Sequence, residues 1–138
     1  MMITAKDRAA LWGNAALVTL ATAKRLREND DHRSCVSRTY YAAYQAATSV
    51  CIAHGDAVNF PPGWNNPTHE QLPDLVGNNG DYPLSTRRVV RRILRELRLL
   101  REDADYRMGR TVNAVTVKAA LLMASTVFER LEIEHGSN

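Results

Sequence analysis

The chain has 138 residues, of which 45% are apolar and 24% charged, and its net charge is +3. This composition excludes an intrinsically disordered protein, and the length predicts a single domain over residues 1–138. The N-terminus lacks the basic, apolar and small-residue order of a secretory signal, so we expect the protein in the cytoplasm. No membrane span is predicted, because Gln, Arg and hydroxyl side chains interrupt the least charged stretch.

The first predicted helix begins with a capping box. Thr4 and Asp7 have the spacing at which each side chain can bond the backbone N–H of the other residue. Apolar residues then recur at helical spacing as far as about Arg27. A short acidic connection follows, at residues 28–31.

The second predicted helix, at about residues 34–54, is the one around which we expect the fold to be organised. It carries a single charge, Arg38, whereas a surface helix carries charges around about half of its circumference. We therefore predict that it is the central helix of an all-helical domain, ending near His54 and Gly55. One side remains polar and needs partners, since buried polar groups are otherwise costly. That side carries Arg38, Tyr41, Gln45, Thr48 and Ser49.

Residues 56–67 predict a loop by composition, and its Phe60 and Trp64 need a surface to lie on, either the bundle or a partner. A second capping box, Thr68 with Gln71, predicts a helix start with His69 in the first turn. Pro73 follows too soon for an unbroken helix, so this element is predicted to be short or bent.

Two further long helices complete the predicted fold. Ser85 can cap a helix over residues 86–107, and a last helix is expected over residues 113–133, with Lys118 its only charge before Glu129. No segment shows the alternation of a strand. The sequence therefore predicts an all-α bundle of four to five antiparallel helices.

Positive charge is concentrated on the predicted helix at residues 86–107. Residues 85–110 contain nine Arg against four acidic residues. The arginine arc consists of Arg87, Arg88, Arg91, Arg92, Arg95 and Arg98. Four of these, Arg88, Arg91, Arg95 and Arg98, are the candidate nucleic-acid-binding residues, because basic side chains near an aromatic residue can hold phosphates. The alternative is a solvated face with ordinary i,i+4 pairs, such as Arg92 with Glu96.

A second candidate site is polar. Arg38 on the central helix and Arg101 and Asp105 on the arginine-rich helix are placed to form a polar cluster with Tyr41. The cluster either lines a functional cleft or is a buried ion network that fixes the packing of two helices. We expect Asp105 to pair with Arg38.

His69 is the candidate acid–base residue. It stands at a predicted helix start, where free backbone donors attract anions, but a lone histidine there is more often structural or simply exposed. The four His and two Cys have no metal-ligand spacing, and no Gly-rich phosphate loop is present, so neither metal nor cofactor is predicted. Cys35 and Cys51 are expected to be two separate thiols.

Three motifs occur in one order: SRTYYAAY at 37–44, TH at 68–69 and LREDADY at 100–106. This set resembles the HEPN domains (higher eukaryotes and prokaryotes nucleotide-binding), specifically the small stand-alone bacterial kind. Those carry an SRxYYAx(Y/F) central helix and an RxxADY helix end. The likeness covers about residues 29–130. Carried over by motif, the marked positions are Arg38, Tyr41, His69, Arg101, Asp105 and Tyr106.

The resemblance implies a four- or five-helix bundle, usually a homodimer, associated with RNA cleavage, toxin–antitoxin pairs or other defence and stress systems. The implied partners are RNA and a nucleotidyltransferase or antitoxin. On this basis the chain is a candidate RNA-associated toxin component, with His69 and Arg101 as the candidate catalytic residues of a metal-independent endoribonuclease. The alternative is a non-catalytic module that binds nucleic acid or a protein partner.

The sequence departs from the pattern of the ribonuclease members of the family in one respect that bears on catalysis. Ribonuclease members carry Arg, four to six residues and then His on a late helix. Here Arg27 with His32 and Arg130 with His135 have that spacing, but one pair lies at the exit of the first helix and the other at the C-terminus. We therefore do not interpret either pair as the nuclease motif.

Overall fold

The structure, a computed structural model, describes residues 4–55 and 67–133. Over those residues the chain forms helices and no strand. The helices are α1 (Ala5–Glu28), α2 (His32–Ala53), α3 (Gln71–Gly77), α4 (Leu84–Tyr106) and α5 (Ala114–Arg130). The predicted all-α class is confirmed. No helix in the described ranges is long and apolar enough to cross a membrane. Phe60 and Trp64, for which the sequence predicts a surface to lie on, are outside the described residues.

The start of α1 follows from local side-chain chemistry. Thr4 Oγ1 accepts the backbone N–H of Asp7 at 3.1 Å, and Asp7 Oδ2 accepts that of Thr4 at 3.3 Å, so the predicted capping box is present. Asn113 and Thr116 form an equivalent box before α5. Each bond satisfies a backbone donor that has no partner inside the helix.

Helices α3 and α4 differ in how they begin. The side chains of Thr68 and Gln71 bond each other's backbone N–H groups at 3.1 Å, so the predicted pair of hydrogen bonds is present. The predicted helix start is wrong, however, because the N-cap is Glu70 and His69 lies in the turn before the helix. Because α3 begins at Gln71, Pro73 falls in its first turn and removes no helical hydrogen bond. The prediction that Ser85 caps α4 is wrong. The N-cap is Pro83, and Ser85 already lies inside the first turn.

Helix α2 is central, as predicted, and packs against each of the other four helices. Its alanines at positions 42, 43, 46 and 47 are fully buried, and their small side chains let the neighbouring helices approach closely. Near the end of α2, Ser49 Oγ donates to the carbonyl oxygen of Ala9, at the start of α1, at 2.6 Å. The two helices therefore run antiparallel.

The first turn of α2 is tied to the end of α4 by Arg33. Its Nη1 donates to the carbonyl oxygens of Asp103 and Ala104 at 2.9 and 3.1 Å, and its Nη2 to those of Met108 and Arg110. Carbonyls at a helix C-terminus lack partners inside the helix, and a cation there is favoured by the helix dipole. Arg33 thus fixes the position of the last turn of α4 beside α2.

Candidate functional site

An open cleft lies between the first turns of α2 and the last turn of α4, and two residues of α1 complete its wall. Its volume is about 930 Å³. Four predicted site residues line it: Arg38, Tyr41, Asp105 and Tyr106. The antiparallel packing of α2 on α4 therefore brings two motifs that are distant in sequence to one place.

Arg101 organises the residues of this cleft. Its Nη2 donates to the hydroxyl oxygens of Tyr41 at 2.8 Å and Tyr106 at 3.4 Å. Its guanidinium carbon also lies 5.3 and 5.4 Å from the centres of those two rings. The cation is therefore held between an α2 tyrosine and an α4 tyrosine by hydrogen bonds and cation–π attraction.

Asp105 completes this arrangement. Its Oδ2 lies 3.0 Å from Nε of Arg101 and accepts a hydrogen bond from Ser37 Oγ at 3.2 Å. The Nε–H of Arg101 has no hydrogen-bond partner, so its contact with Asp105 is an ion pair and not a directed hydrogen bond. Burial disfavours the charge on Arg101, but Tyr41, Tyr106 and Asp105 together outweigh it and raise the pKa of Arg101. Arg101 is therefore a fixed cation.

The expected pairing of Arg38 with Asp105 is wrong. Asp105 lies one turn after Arg101 on the same helix, and this i,i+4 spacing gives the carboxylate a closer cation. From α2 it is Ser37, and not Arg38, that reaches Asp105. Arg38 is exposed, lines the cleft and has no hydrogen-bond or ion-pair partner among residues 4–55 and 67–133.

His69 is half-buried among the tyrosines of α2. Its Nδ1 lies 2.5 Å from the hydroxyl of Tyr40, and its ring centre lies 4.6 Å from that of Tyr44 and 5.9 Å from that of Tyr41. Burial lowers the pKa of His69, and the positive charges of Arg101 and Arg98 lower it further. The imidazole is therefore neutral at physiological pH. It does not line the cleft, although it shares a contact with Tyr41.

Most of the arginine arc is engaged within the protein. Arg91 and Arg95 both contact Oδ1 of Asp74 on α3, at 3.1 and 3.0 Å. Arg92 pairs with Glu96, as predicted, and Arg98 pairs with Glu102 one turn on. Arg87 donates to the carbonyl of Gly77. Arg88 is exposed and has no such partner within the described part of the chain. The candidate nucleic-acid-binding residues of α4 therefore differ in how accessible their charge is.

No metal site emerges from the side chains described. In the ranges 4–55 and 67–133, no three His, Cys, Asp or Glu side chains converge in a way that would hold an ion. Cys35 and Cys51 are separate, buried thiols.

Comparison of the sequence with protein-family models gave a match. A family model described as HEPN domain covers residues 9–134. The chain belongs to the HEPN domain family. That family is associated with nucleotide binding and ribonuclease activity, and the resemblance read from the three motifs is confirmed. Comparisons with curated proteins and with solved structures gave no match.

Within this HEPN domain, the first of the two Arg-x4-His spacings, Arg27 with His32, lies away from the cleft. Arg27 is in the last turn of α1 and His32 is the first residue of α2. Both line a smaller pocket on another side of the α1–α2 turn. His135 lies outside the described residues.

Three residues that line the HEPN cleft or hold its neighbouring side chains were not predicted. Ser37 lies beside Arg38 and could have been found as the α2 hydroxyl next to the marked arginine. Tyr40 binds His69, but the motif gives no sign of which tyrosine does so. Arg33 bonds only backbone carbonyls, and such acceptors have no signature in the sequence.

Proposed function

We propose that this HEPN protein binds single-stranded RNA in the α2–α4 cleft. The observation that carries the proposal is that Arg38 lines the same cleft as the exposed ring of Tyr106. Arg38 is an exposed cation whose side chain has no partner in the described ranges. A cation beside an exposed aromatic face is the combination with which proteins hold the backbone of a single strand and stack one of its bases.

The network behind these two residues supports a preorganised site. Tyr106 is 69% exposed, yet its hydroxyl and ring both contact Arg101, so the ring is held in place although it faces solvent. Ser34 and Ser37 add hydroxyl groups to the lining. A duplex would keep its bases stacked within the helix, so an exposed ring favours an unpaired strand.

The geometry favours binding over cleavage. Arg101 already contacts Tyr41, Tyr106 and Asp105, and so has little freedom to move onto a reacting phosphate. The Nδ1 of His69 is bonded to Tyr40, and the ring lies outside the cleft lining. A non-catalytic binding module, the alternative in the sequence analysis, is therefore the better supported of the two functions.

The ribonuclease function remains the second candidate because of one observation. His69 and Arg101 both contact Tyr41, so a neutral base and a fixed cation lie close to the same wall of the cleft. In that case His69 would accept the proton of the attacking hydroxyl and Arg101 would stabilise the phosphate charge. Incubation of RNA with the wild type and with His69→Ala separates the candidates. A catalytic His69 requires cleavage that slows by about 10²–10⁴ in the variant.

We also propose the biological setting and partners that the family resemblance implies. The protein would act in a bacterial toxin–antitoxin or other defence system, with a nucleotidyltransferase or antitoxin as its partner. A homodimer is proposed through the outer face of α5. Val115 and Leu122 are 76% and 61% exposed there, and Lys118 is the one charge of this helix before Glu129.

Replacement of Tyr106 tests the proposed binding mode. Tyr106→Ala should weaken binding of an unstructured oligouridylate by about tenfold, as expected for one lost stacked base. Tyr106→Phe retains the ring and should bind nearly as the wild type does. Equal affinity of all three proteins would overturn the assignment of Tyr106 as the stacking platform.

A further inference from the structure

A second pocket lies at the end of the bundle where the α1–α2 turn meets the start of α5. Its volume is about 300 Å³. Its rim is formed by Arg27 of α1, Asp30 of the turn, His32 of α2 and Lys118 of α5. Ala114 and Val117 also line it. It shares no lining residue with the α2–α4 cleft.

The cations around this pocket are not neutralised within the described part of the chain. The side chains of Arg27 and Lys118 have no hydrogen-bond or ion-pair partner among residues 4–55 and 67–133. Nε2 of His32 lies 4.0 Å from Asp30, which is too far for a hydrogen bond. The neighbouring Arg33, in contrast, uses its guanidinium on backbone carbonyls. Two unpaired cations from different helices therefore line one concavity, and with Asp30 they leave it net positive.

We propose that this pocket binds a phosphate monoester. Arg27 would supply a planar pair of donors and Lys118 a point charge, which together match a compact dianion. The lining contains no Phe, Tyr or Trp, so a base would have no ring on which to stack, and the phosphate itself is the group recognised. The inference goes beyond RNA binding in the cleft and does not depend on it. The phosphate could come from the end of an RNA strand or from a free nucleotide.

Removal of the negative charge of Asp30 should strengthen phosphate binding, whereas removal of either cation should weaken it. Its side chain is 91% exposed and lies on the rim, where its charge repels a bound phosphate. Its φ of 56° is in the left-handed region, which Asn adopts about as readily as Asp. Asp30→Asn therefore removes the repulsion without disturbing the turn.

The experiment is calorimetric titration of the full chain with inorganic phosphate and with adenosine 5′-monophosphate at constant ionic strength. Arg27→Ala and Lys118→Ala should each weaken both ligands by about tenfold, the loss expected for one charge-assisted hydrogen bond. Asp30→Asn should tighten both. Lys24→Ala removes an exposed charge from the same helix, outside the pocket, and should change neither. Circular dichroism confirms that each variant is folded.

A third arm separates the two sources of phosphate. An oligouridylate with a 5′-phosphate is compared with the same oligomer bearing a 5′-hydroxyl. If the phosphorylated strand binds more tightly, and Arg27→Ala abolishes that difference, the ligand is an RNA end. If Arg27→Ala weakens the binding of inorganic phosphate and adenosine 5′-monophosphate but not that of the phosphorylated strand, the ligand is a free phosphate or nucleotide. Two results would overturn the proposal. One is that Arg27→Ala and Lys24→Ala have equal effects on all ligands. The other is that the wild type binds no phosphate at 10 mM, a concentration on the order of the dissociation constants of the weakest specific complexes.

Discussion

Nη2 of Arg101 lies 2.8 Å from the hydroxyl oxygen of Tyr41, and this bond joins α4 to the central helix at the wall of the cleft. The same guanidinium contacts Asp105, which in turn accepts from Ser37 of α2. The side chains of Arg101 and Asp105 are only 16% and 27% exposed. The polar cluster is therefore at once a packing element between two helices and the wall of a candidate binding site.

Removal of Asp105 should destabilise the protein. Asp105→Ala leaves Arg101 largely buried without its carboxylate, at a cost of about 1–3 kcal/mol in the free energy of unfolding. Asp103→Ala is the matched control, because Asp103 pairs with the more exposed Arg107 at i,i+4 and should cost well under 1 kcal/mol. Urea denaturation measures both. Equal costs for the two variants would contradict the central role of Asp105.

Arg38→Ala should leave the stability nearly unchanged, because Arg38 is exposed and has no partner in the described ranges. This outcome would distinguish the observed arrangement from the pairing of Arg38 with Asp105 that the sequence suggested. A loss as large as that of Asp105→Ala would restore the predicted pair.

The stability should depend on pH through His69. Because the pKa of His69 is lowered in the folded state, the unfolded chain binds a proton first as the pH falls below about 6.5. Acidification from pH 7 to pH 5 should therefore lower the melting temperature, and His69→Phe, which keeps the ring contacts, should reduce that dependence. An unchanged slope in the variant would show that His69 titrates alike in both states.

Much of the fold could be predicted because its signals are local. A few consecutive residues are enough to identify the capping boxes at Thr4 and Thr68 and the near absence of charge in α2. The partner of Asp105 could not be predicted, since both Arg38 and Arg101 were within plausible reach. The choice depends on how α4 is rotated against α2, which is set by the packing of the whole bundle. The role of Arg33 could not be predicted for a related reason, because its acceptors are backbone carbonyls at the end of another helix.

Asp74 should limit the affinity of the arginine arc for RNA. Its carboxylate contacts Arg91 and Arg95. The aliphatic part of the Arg91 side chain also lies so close to Gly77 that a Cβ atom at position 77 would collide with it. Asp74→Asn frees both guanidinium groups for phosphates, so affinity should rise, and the salt dependence should steepen by about 0.7 for each new contact. Fluorescence anisotropy at several salt concentrations measures both.

Glu96→Gln is the control for that experiment. It removes one negative charge beside the arginine arc, on α4, but releases only Arg92, whose contact with Glu96 is already long at 3.9 Å. A larger effect of Asp74→Asn supports specific masking of the arc. Equal effects would mean that only the net charge matters.

The proposed dimer predicts a molecular mass of two chains by light scattering at micromolar concentration. Leu122→Glu places a charge on the exposed apolar face of α5 and should yield monomers without unfolding the chain, because Leu122 is 61% exposed. Ala10→Glu, on the exposed side of α1, is the control and should leave the mass unchanged. A wild-type chain that remains monomeric at high micromolar concentration would reject the dimer.

In the proposed complex, Arg38 holds the backbone of a single-stranded RNA in the cleft. The decisive measurement is the salt dependence of oligouridylate binding by the wild type, Arg38→Ala and Arg88→Ala. Arg88 is an exposed arginine of α4 outside the cleft lining, and its side chain has no partner within residues 4–55 and 67–133. Arg38→Ala should lower the affinity and reduce the slope of log K against log salt by about 0.7, one phosphate contact. Arg88→Ala should cause a smaller change. Salt-sensitive binding that Arg38→Ala leaves unaltered, or no binding by the wild type at low salt, would show that Arg38 does not hold the strand.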